Sequence, residues 1–103
     1  MTEIDVINAL KEVYDPEIPL NIVDLGLVRN IEIKDNNLTV IMTLTTPQCP
    51  LEKYILRTVI KTLHRHFPDV GEISVKLDFS EPWNTGKIST EGLEKLRELG
   101  WNI

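Results

Sequence analysis

The sequence holds one cysteine, Cys49, among 103 residues. That excludes an intramolecular disulfide and a self-contained cysteine-rich metal site. A cluster or metal held through Cys49 needs other residue types, a second chain or a small-molecule thiol. Basic residues are also scarce. Eleven Lys and Arg are scattered among sixteen Asp and Glu, for a net charge of −5. Phosphate backbones are bound by clustered Lys and Arg, so nucleic acid is not an expected partner. No apolar run reaches the ~18 residues that a membrane span needs, and no membrane partner is expected. Residues Met1 to Asp5 lack the basic and apolar stretches of a secretory signal, which gives the expectation of a cytoplasmic protein, or one in the matching compartment of an organelle. Repeats, low-complexity tracts and Gly/Ser linkers are missing, so one domain is expected over 1–103.

What is present suits a packed core: 42% of the residues are hydrophobic and 26% charged, close to ordinary globular values. Thr2 and Asp5 form a weaker relative of the capping box. Val6, Ile7, Leu10, Val13 and Tyr14 follow at helical spacing, until Asp15-Pro16 stops the helix. Residues 17–21 read as loop, with Asn21 or Asp24 opening a short turn that Gly26 breaks. Residues 27–34 and 38–45 read as strands joined by turn chemistry at 35–37.

Residues 46–50 form a loop bounded by Pro47 and Pro50, and Pro50 suits the first position of a helix. Leu51, Tyr54, Ile55, Val59, Leu63 and Phe67 continue that helix to about His66. A third strand is expected within 70–79, a loop over 81–86, and a last helix from Ser89 or Thr90 to Leu99, closed by Gly100. The order α-β-β-α-β-α predicts an α+β fold. It is a two-layer sandwich in which helices cover one face of a three-stranded mixed sheet.

Cys49 falls in the N-cap region of the long predicted helix. Unpaired backbone N–H groups and the positive end of the helix dipole favour thiolate over thiol there. A thiolate binds iron or zinc and attacks electrophiles. The plainer alternative is a small buried hydrophobe. The flanking prolines and the polar Thr45, Thr46 and Gln48 favour a loop over a core strand. His64 cannot complete a site with Cys49 within one chain, because ~1.5 Å of rise per residue carries it roughly 20 Å away. His64 and His66 instead suit solvent, or the negative end of their helix.

Three segments together carry a resemblance. They are Asp15-Pro16-Glu17-Ile18-Pro19 with Asn21 to Val28, then Thr43 to Leu51 around Pro47-Gln48-Cys49-Pro50, and last Glu81-Pro82-Trp83 with Ile88-Ser89. In this order the chain resembles the family of small iron–sulfur assembly proteins that includes SufT, the cytosolic iron–sulfur targeting factors and the PaaD subunit of phenylacetate degradation. The resemblance implies an α+β fold and a non-catalytic role in cluster maturation or targeting. It places the family's reactive cysteine on Cys49, its acidic motif on Asp15 and Glu17, and its later Pro-Trp on Pro82-Trp83. Gln48 stands where a small residue is usual, Glu52 and Lys53 are bulkier than common, and Asn84 replaces a frequent proline. Bulk around the thiol favours a partner's cysteine or a single ion over a docked cluster.

The candidate site is therefore Cys49, as a transient ligand for an iron–sulfur cluster or iron. Asp15, Glu17, Asp24, Thr46, Pro47, Pro50 and Trp83 support it. Asp15 and Glu17 either stop a helix or lend an oxygen ligand. Asp24 and Gly26 either shape a turn or join the site. Trp83 either walls the Cys49 loop or sits in the core. Expected partners are iron–sulfur client or carrier proteins, and a homodimer would supply two thiolates. Two alternatives stand beside the assembly factor. One is an accessory subunit of a phenylacetate-type oxygenase system. The other is a cysteine-nucleophile enzyme, disfavoured because no histidine reaches the sulfur as a base.

Overall fold

A computed structural model describes residues 1–46 and 51–102. Its elements run α1 (Glu3–Leu10), β1 (Val28–Lys34), β2 (Asn37–Met42), α2 (Glu52–His66), β3 (Ile73–Leu77) and α3 (Thr90–Glu98), with a 3-10 turn at Thr85–Lys87. This is the α+β order expected from the sequence, with the 3-10 turn added.

Thr2 and Asp5 close a full capping box. Each side chain accepts the other's backbone N–H, at 3.2 and 3.1 Å. The helix they start ends at Leu10, short of the predicted Tyr14. The competing pull is tertiary. Val13 is buried and its carbonyl accepts the Ile22 N–H at 2.9 Å, while Tyr14 pairs with Asn21 as an isolated bridge. Val13 therefore belongs to an extended segment packed on the core, while Tyr14 in that segment is exposed.

β2 is the central strand, antiparallel to β1 and parallel to β3. Rows of side chains on one face lie in register: Ile31, Val40 and Val75, then Ile33, Leu38 and Ile73, then Met42 and Leu77. Alternation at period two puts all of them on the face that meets the helices. α1 contributes Val6, Ala9 and Leu10 to the core, and α2 contributes Ile55, Val59 and Leu63. The two helices pack together, α1 towards β1 and α2 towards β3.

β2 ends three residues before the predicted Thr45, although one further ladder bond joins the Thr43 N–H to the Leu27 carbonyl at 2.8 Å. α3 sits apart from the sheet. Its cap residue Ser89 bonds to Asp24, and its Gly92 packs tightly beside Leu20. Gly100, at φ +93, closes the helix, with the Trp101 N–H returning to the Leu96 carbonyl at 2.9 Å. Among the described residues no helix is long and apolar enough to cross a membrane.

Candidate functional site

Cys49, with Pro47, Gln48 and Pro50, lies outside the described residues. Its frame is described on both sides, by Thr43 to Thr46 before it and by Leu51 and α2 after it. β2 and β3 finish together, Met42 beside Leu77, so Thr43 to Thr46 leave from the carboxyl end of a parallel pair.

A small cavity of about 60 Å³ opens there, lined by Thr43, Leu44, Thr45, Phe79, Pro82 and Trp83. Thr43 is 1% exposed, and its buried Oγ1 has no hydrogen-bond partner among the described residues. Trp83 is partly buried against the core, and its indole N–H donates to the Leu25 carbonyl at 2.6 Å. It thus makes the core contact that the sequence offered as one alternative, and it also lines this cavity; the Cys49 loop that it was expected to wall lies outside the described residues. Thr46 is exposed at the edge of the described segment.

Asp24 and Asp15 have separate jobs. Asn21 accepts the Asp24 N–H at 2.9 Å and donates its side-chain amide to the Asp24 carboxylate at 2.8 Å. The other Asp24 oxygen accepts the Ser89 hydroxyl at 3.0 Å, and the Ser89 N–H donates to the Asp24 carbonyl at 2.8 Å. One carboxylate therefore holds a turn closed and anchors the start of α3. Gly26 completes this turn at φ +78, and a Cβ there would lie 2.2 Å from the Lys87 carbonyl oxygen. No residue with a side chain fits without displacing that backbone. Asp15 is 7% exposed, and one of its oxygens accepts the N–H groups of Glu17 and Ile18 at 2.8 and 2.9 Å. It closes a turn, as such carboxylates do, and is not the helix stop expected of Asp15-Pro16, since α1 has already ended at Leu10. Glu17 is exposed.

Comparison with known proteins then decides the family. The family described as "Iron-sulfur cluster assembly protein" matches residues 3–75, from the first turn of α1 into β3. The chain belongs to the iron–sulfur cluster assembly protein family. A Porphyromonas gingivalis protein named Fe-S protein maturation auxiliary factor is 38% identical over 96 residues, covering 92% of this chain and 90% of that one. The Bacillus subtilis maturation auxiliary factor YitW is 37% identical over 86 residues, 82% of this chain and 83% of that one. A crystal structure of a domain of unknown function from Bacillus anthracis superposes with TM-score 0.88 at 33% identity, over 92% of this chain and 91% of that one.

Among the described residues no group of three or more His, Cys, Asp or Glu side chains stands together as a metal site. The histidines lie at the end of α2: His64 is exposed, and His66 contacts the Glu12 carboxylate beside Arg65. Near the cavity, Arg29 on β1 grips Glu81. Asp78 is held below its ordinary carboxyl value by the Ser80 hydroxyl and N–H, with Arg29 adding to it. Sequence reasoning passed over Arg29, Thr43 and Phe79 as site residues.

Proposed function

We propose that the chain is a maturation factor for iron–sulfur proteins, with Cys49 as its working thiol. The reading is carried by the 38% identity to a named maturation factor over nine-tenths of both chains. Cys49 would act as a transient ligand for the cargo cluster or iron, or as the contact to a client's or carrier's cysteine. One thiolate per chain leaves most coordination positions open. Cargo held this way exchanges readily onto a client that offers more thiolates. Nearness to the start of α2 would favour the ionised sulfur. Thr46, Pro47 and Pro50 would fix the turn that presents it, and Trp83 would wall it. Asp15 and Asp24 would act by shaping the loops around it, and the exposed Glu17 would face the partner. A homodimer would double the thiolates available, and the setting of this work would be the cytoplasm.

The deciding experiment compares wild type with Cys49→Ala in anaerobic reconstitution and in maturation of an iron–sulfur client. The expected result is loss of iron and sulfide uptake and of client activation, with the fold unchanged by circular dichroism. Equal performance by the two proteins would remove Cys49 from the function. Co-purification with oxygenase subunits, in place of cluster carriers, would select the accessory-subunit alternative. Sedimentation of the wild type at two concentrations tests the dimer.

A further inference from the structure

The sheet has two edges, and they differ. On β1 the ladder is broken by a register shift between Val28 and Asn30, and the Ile31 N–H donates to the Asn30 side chain at 2.9 Å. A bulge and an amide satisfied by its own neighbour both blunt an edge against further pairing. β3 has neither. It pairs with β2 in unbroken register, from Ile73 opposite Leu38 to Leu77 opposite Met42, and no strand lies beyond it among the described residues.

The main chain of β3 faces two ways. The Glu72 carbonyl accepts the Leu38 N–H at 2.8 Å, and the Asp78 N–H donates to the Met42 carbonyl at 2.9 Å. Every second residue turns its polar groups to the same side, so Ser74 and Lys76 also face β2. The N–H and C=O groups of Ile73, Val75 and Leu77 therefore point out from the edge. Their side chains are incompletely covered. In the row that meets the helices, Leu38, Val40 and Met42 are at most 1% exposed, while Ile73, Val75 and Leu77 beside them are only half-buried. Leu56 and Ile60, one helical turn apart on α2, are half-buried too. On the other face stand Glu72, Ser74 and Lys76, and neither charge joins an ion pair among the described residues. Turned end for end, Glu72-Ile73-Ser74-Val75-Lys76 sets acid against base, isoleucine against valine and serine against serine.

We propose that β3 pairs antiparallel with β3 of a second copy of this chain, about a two-fold axis at Ser74, joining two three-stranded sheets into one of six strands. In that register Ile73 and the partner's Val75 exchange both ladder hydrogen bonds, and Glu72 lies across from the partner's Lys76. The axis repeats each contact. Moving the axis to Val75 would set Glu72 against the partner's Asp78, a like-charge pair that disfavours the shift. A lone edge lysine discourages pairing. Here its countercharge arrives with the second copy. An edge this short buries less than a standard interface, so the association is weak and rises with concentration. The inference takes up the homodimer of the proposed function and rests on that reading for its purpose, while its evidence is the β3 edge and not Cys49.

The test is charge reversal in the full chain, read by sedimentation velocity over a concentration series. Glu72→Lys and Lys76→Glu each place like charges at both pairs and should weaken self-association about ten-fold. An equimolar mixture of the two variants restores both opposite-charge pairs and should associate as the wild type does. Register is read separately with Ser74→Cys in a Cys49→Ser background. The two sulfurs then face each other in a non-hydrogen-bonded pair, whose Cα atoms stand about 4.5 Å apart, so oxidised glutathione should link the copies by a disulfide. Thr39→Cys in the same background lies one strand further in, opposite Ser74, and should stay unlinked. A wild type that sediments as a monomer throughout would overturn the proposal. So would a mixture no stronger than its components, or equal cross-linking at both positions. Amide shifts at 73–77 that appear only on adding a client protein would give the edge to a client's strand and overturn it as well. Should Ser74→Cys not fold, the charge series decides. Failure of the Cys49 reading shows elsewhere, as full client maturation by Cys49→Ala, a variant that should sediment like the wild type.

Discussion

The indole N–H of Trp83 donates to the main-chain carbonyl of Leu25 at 2.6 Å, joining residues 58 positions apart. Leu25 is fully buried in the turn that Asp24 holds closed. Two motifs that stand far apart in the sequence, Asp24-Leu25-Gly26 and Pro82-Trp83, are thus one structural unit.

Trp83→Phe keeps most of the apolar contact and removes the donor. The Leu25 carbonyl is then left without this partner, which should cost about 1–3 kcal/mol. Urea unfolding at neutral pH reads this as a lower midpoint with unchanged slope. A midpoint equal to that of wild type would mean that the bond contributes nothing net.

Gly26→Ala should be worse. The left-handed φ of +78 alone costs an L-residue about 1–2 kcal/mol. The new Cβ must also push the Lys87 carbonyl aside, since the two would stand 2.2 Å apart. The expected readout is a lower melting temperature together with greater solvent exposure of Trp83. Unchanged melting would show that the Lys87 segment yields freely.

Ser89 accepts the Gly92 N–H at 3.0 Å and donates to Asp24 at 3.0 Å. Ser89→Ala should cost about 1 kcal/mol as a lost N-cap, plus its share of the Asp24 bond. Because Asp24→Ala removes the same bond, the double variant should lose less than the sum of the singles. Strict additivity in chemical denaturation would show the two residues to be independent.

Glu12 ties the end of α1 to the end of α2. Its carboxyl is held below the ordinary 4.5, chiefly by the hydrogen bond from Arg65; desolvation opposes this, and His66 adds smaller lowering contributions through its hydrogen bond and charge. A lowered carboxyl value means that the folded protein favours the ionised form. The stabilisation is therefore complete above pH 4.5 and is lost as pH falls through the lowered value. Glu12→Gln should be less stable than wild type at neutral pH, and the gap should close on acidification. The pair is exposed, so high salt should narrow the gap as well. A gap constant across the acid range would rule this pairing out.

Cys49 should alkylate with a pH midpoint below the free-thiol value of about 8.5. The rate of iodoacetamide reaction against pH measures this directly. A midpoint at or above the free value would remove the electrostatic basis of the proposed function.

Periodicity and capping in the sequence carried the element order, because helices and strands here follow local pattern: Ile55, Val59 and Leu63 on α2, and Leu38, Val40 and Met42 on β2. The end of α1 was not legible. Val13 and Tyr14 continue a helical spacing, yet they are claimed by pairing with Ile22 and Asn21, a tertiary effect that no local window contains. The site was legible in part. Asp15 and Asp24 stood out as turn-forming carboxylates, and hydrogen bonding to nearby main chain was foreseen for Asp15. Arg29 was invisible because its partner Glu81 is 52 residues away, and a lone arginine in a strand carries no local signature.

α3 makes no close approach to any strand among the described residues, and its tethers to Asp24 and Leu20 belong to the loop before β1. The C-terminal stretch can therefore peel off without tearing a single rung of the sheet. Its amide protons should exchange with deuterium through that detachment alone, while those of β2 wait for the whole molecule to open. Cohesion in this protein thus comes in two tiers, and the outer tier is the one that carries α3.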